Sequence, residues 1–158
     1  MTSLLSDHIC DKLLHAEGLY HQLVLVVGRE GAGKTSALQA VAGSINAALI
    51  NVNLELSRRM LDLTERQRPL RVQRLLELIV AEHESDVVLL DNIEILFDVA
   101  LRQDPLRLLQ GLSRARKVAA AWNGSIEDRN IRYAEPGHPE YRRYPIDGLL
   151  AVSTDATE

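Results

Sequence analysis

A single cysteine, Cys10, leaves this chain without the means to form an internal disulfide. A reducing cytoplasm is therefore its expected home, with Cys10 a surface thiol or a small core residue rather than a nucleophile. Lysine is almost as scarce. Lys12, Lys34 and Lys117 are the whole set, and the remaining basic charge is arginine. Nor is there an excess of positive charge: the formal net charge is −4 and the pI is near 5.7, which excludes a chain whose main task is coating nucleic acid. No apolar run approaches the roughly 20 residues that span a bilayer. The N-terminus lacks the basic start and long apolar centre of a secretory signal and carries Asp7 and Asp11 instead. With 158 residues there is room for one core, so residues 1–158 are expected to form a single domain, without membrane contact.

What is present begins at Gly28-Arg29-Glu30-Gly31-Ala32-Gly33-Lys34-Thr35, followed by Ser36. It fits G-x-x-x-x-G-K-[ST], and its flanks give the pattern physical meaning. Leu23-Val24-Leu25-Val26-Val27 has the length and composition of a buried strand. Thr35 to Ala42 is helix-compatible, with Gly43 as the expected C-cap. Strand, glycine loop and helix together make a phosphate site. Loop N–H groups would curl around a polyphosphate, and the helix N-terminus adds its positive end. Lys34 would reach the β- and γ-phosphates while the Thr35 hydroxyl ligates Mg²⁺. The expected ligand is ATP or another nucleoside triphosphate.

Further along, strands and helices alternate without a linker or repeat. A short amphipathic helix is expected over residues 3–16, within an N-terminal segment 1–20. A second strand reads over Ala47–Asn53, a short helix capped by Ser57 runs through Leu63, and Pro69 starts a longer one. There Val72, Leu75, Leu76 and Ile79 share a face. Val87–Asp91 reads as a third strand, and Asp104-Pro105 as a helix start with Leu106, Leu109 and Leu112 on one face. Val118–Trp122 gives a fourth strand and Gly148–Val152 a fifth, separated by an arginine-containing insertion at 124–147. The alternation predicts an α/β fold, a parallel sheet with helices on both faces.

Val87-Val88-Leu89-Leu90-Asp91 is also a Walker B pattern, with Asp91 placed to hold the Mg²⁺ shell at the strand's end. Hydrolysing relatives usually follow that aspartate with glutamate. Here Asn92 stands instead, and an amide cannot accept a proton at neutral pH. Glu94 and Glu55 lie near enough to substitute, although each also reads as a solvated surface carboxylate. Hydrolysis is thus expected to be slow, absent or completed by a partner. Asn123, directly after the fourth strand, takes the place of the sensor 1 residue of AAA+ proteins. Asn123-Gly124 reads equally well as a turn. Trp122 reads as core or interface.

The segments 51–59, 64–70, 90–97, 103–114 and 133–145 together resemble the BrxF family, the small P-loop proteins of type III BREX bacteriophage-exclusion systems. The resemblance runs over nearly the whole chain. It implies a phage-defence component working beside a large ATPase, a DNA methyltransferase, a phosphatase-like protein and a helicase. Asn92 lies inside a resembling segment. The expected fold is a three-layer P-loop core of the additional-strand (AAA+-like) type, with five parallel strands and, from the few residues after the fifth, no helical lid.

Two groups of arginines remain. Arg58, Arg59, Arg66, Arg68, Arg71 and Arg74, opposed by Asp62 and Glu65, read first as a salt-bridged helix face and second as a nucleic-acid or partner patch. Arg129, Arg132, Arg142 and Arg143 lie where AAA+ proteins keep an arginine that reaches a neighbour's γ-phosphate, and Arg142 or Arg143 is the expected finger. A homo-oligomer or a complex with other BREX proteins follows, with DNA reached through the complex. Rival readings are a small-molecule kinase, with Asn53 and Glu55 at the acceptor, and a non-catalytic nucleotide-dependent scaffold. Strand order separates kinase from AAA+ core. The former sets the strands carrying Walker A and Walker B side by side, whereas the latter puts another strand between them.

Overall fold

The computed structural model describes residues 2–157, with the side chains of 4–155. Its elements are α1 (Thr2–Ala16), β1 (Leu23–Gly28), α2 (Lys34–Ser44), β2 (Ala47–Asn51), α3 (Val52–Met60), α4 (Arg68–Ala81) and β3 (Val87–Asp91). Two 3₁₀ turns, Glu94–Phe97 and Val99–Leu101, lead to α5 (Pro105–Leu112). Then come β4 (Lys117–Glu127), β5 (Asn130–Tyr133), β6 (Arg142–Pro145) and β7 (Leu150–Ser153), closed by a 3₁₀ turn, Thr154–Thr157.

The five core strands run in the order β2-β3-β4-β1-β7, all parallel. β4 therefore lies between the strands carrying the two Walker motifs, which decides against the kinase arrangement. Alternation along β1 sends Val24 and Val26 to one face and Leu23, Leu25 and Val27 to the other. The first face packs on α1 and α2 through Leu5, Ile9, Leu13, Leu38 and Val41, and the second on α3, α4 and α5. In α4, Val72, Leu75, Leu76 and Ile79 are the buried stripe. Among the described residues no helical bundle follows β7.

Several local boundaries differ from the sequence reading. Gly43 lies inside α2, where Ile45 is the C-cap and its N–H bonds to the Val41 carbonyl. β2 stops at Asn51, two residues earlier than expected, because that side chain accepts from the Leu54 N–H at 3.0 Å and caps α3, which starts at Val52. Ser57 is consequently a mid-helix residue and not a cap. Asp104 does cap α5, bonding to the Arg107 N–H, a contact worth about 1 kcal/mol.

The larger difference lies in residues 124–147. β4 continues past the parallel sheet, and Gly124–Glu127 pair antiparallel with β5, which pairs in turn with β6. The last core strand is thus the seventh in chain order. Asn123-Gly124 is strand, not turn; the reversal falls at Asp128-Arg129, both left-handed at φ 51° and 62°. Gly124 is required by close approach, since a Cβ there would overlap the Arg132 carbonyl oxygen, which also accepts from Trp122 Nε1–H at 3.1 Å. Gly124→Ala should cost about 1–3 kcal/mol by forcing the hairpin away from β4. Thermal unfolding checks this, and an unchanged midpoint would contradict the close approach.

Candidate functional site

Sheet register assembles the site. Gly28 is level with Asn123 and Asn51 with Asp91, so the ends of β1, β2, β3 and β4 form one rim. The loop leaving β1 turns back through left-handed Gly31 (φ 81°) and Gly33 (φ 97°), conformations open to glycine at little cost, and delivers Lys34 to the start of α2. A cavity of about 310 Å³ opens there, lined by Glu30, Gly31, Gly33, Lys34, Thr35, Ser36, Asp91, Asn92, Glu94 and Asn123. A larger one of about 890 Å³ adjoins it, sharing Glu30, Gly31 and Asn123 and bounded by Gly28, Arg29, Ala32, the hairpin and Ser153–Asp155.

Lys34 is buried, and its ammonium donates to the Gly28 and Arg29 carbonyls at 2.7 and 2.6 Å. An ammonium carries three N–H donors, so one remains for a ligand. Burial lowers its pKa, while the carboxylates of Glu94, then Asp91, then Glu30 act to raise it again. Thr35 Oγ1–H donates to Asp91 Oδ2 at 2.7 Å, and the other Asp91 oxygen accepts from the Asn92 N–H at 3.0 Å. A hydroxyl and a carboxylate side by side are hard oxygen donors of the kind Mg²⁺ takes, one or two from protein and the rest from phosphate and water. Among the described residues there is no cluster of three or more His, Cys, Asp or Glu for a metal.

Glu94 is the residue that sequence reading undervalued. Its carboxylate is not a solvated surface group: Asn53 Nδ2–H donates to one oxygen at 3.1 Å and Asn123 Nδ2–H to the other at 2.9 Å. Asn53 is itself fixed, its Oδ1 accepting from the Ile95 N–H at 2.8 Å and its backbone N–H donating to the Asn92 carbonyl at 2.8 Å. Burial raises the Glu94 pKa; its own backbone N–H and the Asn53 amide partly oppose this, and Asp91 and Glu30 add to it. A carboxylate has about four acceptor sites, so two amides leave room for a water. Glu55, by contrast, sits on α3 beside Arg58 and Arg59, at 3.6 and 3.5 Å.

Asn92 adopts φ 52°, the left-handed region that asparagine tolerates better than glutamate. The backbone thus gives a reason for the amide at this position. The arginines expected near the γ-phosphate do not line the cavity. Arg142 donates to the Gln103 carbonyl at 2.8 Å, Arg129 pairs with Asp147 at 2.6 Å and Arg132 with Glu127 at 3.8 Å. Arg143 is exposed on β6. Behind the rim, Phe97 stacks on Tyr133 with ring centroids 3.5 Å apart, and Trp122 meets Phe97 edge-on. Trp122 is core, as one of its two sequence readings has it.

In the comparisons with known proteins, residues 24–114 match the model of the ATPase family associated with various cellular activities (AAA). A solved DNA replication initiation factor superposes with a TM-score of 0.52 at 14% identity, covering 93% of this chain. This chain spans 44% of that one, and the likeness is one of fold. No curated protein matches. Both Walker motifs lie inside the matched segment, and the strand interposed between theirs, β4, follows just after it; the chain belongs to the AAA family and carries its nucleotide-binding domain.

Proposed function

We propose that this protein is a nucleoside triphosphatase whose site is completed by another chain. The observation that carries the reading is the convergence of Lys34, the Thr35–Asp91 pair and the doubly held Glu94 on one cavity. In it, loop N–H groups and Lys34 bind the β- and γ-phosphates, and Thr35 and Asp91 would hold Mg²⁺. The bound cation would supply charge neutralisation at the phosphate oxygens. Glu94 takes a proton from water as its oxygen attacks the γ-phosphorus, and the nucleoside diphosphate leaves. Asn123 and Asn53 hold the Glu94 carboxylate in place.

Charge explains why another chain is needed. Glu30, Asp91 and Glu94 face a single Lys34, and a triphosphate would add more negative charge. No arginine lines this cavity, so isolated subunits turn over slowly, and an arginine from a neighbour supplies the missing cation. Arg143 is the better donor of the two candidates, because Arg142 is tied to Gln103. The neighbour is a second copy or another subunit of a phage-defence assembly, the latter resting on the resemblance to the BrxF family. A cytoplasmic setting belongs to the same proposal. Among the described residues, no helix is long and apolar enough to cross a membrane.

Sedimentation with and without ATP·Mg²⁺, alone and mixed with other BREX proteins, tests the reading. A triphosphate touching two chains binds the assembly more tightly than the subunit, so mass should rise with nucleotide. Arg143→Ala should abolish that rise while leaving nucleotide binding to the subunit intact. Mass independent of nucleotide in every mixture would remove the arginine in trans.

A further inference from the structure

Arginines are treated in two ways on this molecule. Arg58, Arg59, Arg74, Arg129 and Arg132 have carboxylate partners, Arg116 donates to the His83 and Ser85 carbonyls, and Arg114 lies over the Tyr20 ring at 4.7 Å. Arg66, Arg71, Arg102 and Arg107 have none of these; all four are exposed, and their side chains make no hydrogen bond or ion pair within the described chain. Arg68 is half-buried, with its Nε–H shielded from water and unpartnered.

These five belong to two segments that the fold brings together. The Gln103 amide donates to the Pro69 carbonyl at 2.9 Å and to the Leu101 carbonyl at 2.7 Å, clamping the start of α4 to the segment leaving β3. Arg66, Arg68 and Arg71 flank one side of that clamp, and Arg102 and Arg107 the other. Of the nearby carboxylates, Asp98 accepts from the Ala100 N–H and Asp104 from the Arg107 N–H and the Tyr144 hydroxyl, while Asp62 and Glu65 form no ion pair with these arginines. In a chain with 22 acidic and 18 basic residues, four of the exposed arginines without a partner therefore fall on this one surface, while Arg29 in the phosphate loop and Arg143 on β6 lie elsewhere. Arg102 adds an independent sign. It sits at φ 53°, where glycine is the unstrained residue, so a long cationic side chain is kept at a conformational cost.

We infer that this surface binds the phosphodiester backbone of a nucleic acid directly, without an intervening subunit. Planar guanidinium forks suit phosphate oxygens, and several unpaired arginines on two clamped segments fit a polymer of regularly spaced phosphates better than a single anion. The segment carrying Arg102 continues from Glu94 through the two 3₁₀ turns, and none of the five arginines lines the nucleotide cavity.

Fluorescence anisotropy with labelled single-stranded DNA, duplex DNA and RNA oligonucleotides tests this on the full chain. At least one should bind, with an affinity that falls steeply with salt. Arg71→Gln, Arg102→Gln and Arg107→Gln combined should weaken binding by about tenfold or more and reduce the log–log salt slope by about 0.7–0.9 per arginine removed. Arg129→Gln, ion-paired elsewhere, is the control and should change neither. Circular dichroism and ATP affinity check that the triple variant is folded. If all three probes fail to bind at low salt, or the folded triple variant binds as tightly as the parent, the inference is overturned. Capture of an acidic protein by these same arginines, with no nucleic-acid binding, would likewise overturn it.

Discussion

Glu94→Gln is expected to lower turnover by about 100-fold or more, the loss that follows removal of a positioned general base, while nucleotide binding stays the same or tightens. Binding should not suffer, because the change removes one of three carboxylates facing the phosphates. The pH profile gives a second readout. Burial is the main reason the Glu94 pKa lies above its ordinary value, with the Asn53 amide acting in the opposite direction. The ionised form is the base, so turnover should rise with pH, its acid limb centred above the ordinary carboxylate range. Asn53→Ala removes a hydrogen bond to the ionised form and should move that limb to still higher pH. Stopped-flow or steady-state phosphate release, measured in the assembled state across pH, checks both. Parent-like turnover in Glu94→Gln would assign the base elsewhere.

That expectation rests on a residue whose importance was invisible along the chain. The phosphate loop was legible because its strand, glycines, lysine and helix are contiguous, each fixed by local chemistry. Asp91 was legible for a similar reason, as a polar residue ending an apolar run. Glu94 has no such local signature. Its carboxylate gains its role from Asn53 and Asn123, which reach it from the first turn of α3 and from β4, and only the folded chain shows that meeting. Asn92 misled in the opposite direction: its amide reads as a lost base, whereas its left-handed backbone accounts for the residue type. The hairpin was missed because its turn, Asp128-Arg129, carries no glycine although both residues have positive φ, while the nearby Asn123-Gly124 has ideal turn composition and is strand. There, close packing against Arg132, not chain reversal, demands the glycine. Gly43 illustrates the same ambiguity in a helix, since one glycine near an end can be a cap or an interior residue.

Lys34→Ala should reduce triphosphate affinity by a factor on the order of 100, or about 3 kcal/mol, the scale for deleting a charged, partly buried hydrogen-bonding group from a binding site. Two losses combine. The cavity's one ammonium disappears, leaving Glu30, Asp91 and Glu94 unopposed, and the Gly28 and Arg29 carbonyls lose the donor that fixes the loop's curvature. Burial already lowers the Lys34 pKa, so an incoming polyphosphate should raise it again and favour the charged form. Thr35→Ala separates the metal's share from the loop's. It removes the hydroxyl beside Asp91 while leaving Lys34 and the loop glycines in place, so its deficit should appear with Mg²⁺ and largely vanish in EDTA. The Lys34→Ala deficit should persist in both conditions. Isothermal titration of both variants with a non-hydrolysable triphosphate, with Mg²⁺ and with EDTA, gives the comparison. Undiminished affinity in a folded Lys34→Ala would remove the loop from the binding site. A Thr35→Ala deficit unaltered by EDTA would instead leave the loop in place and remove Thr35 from the metal site.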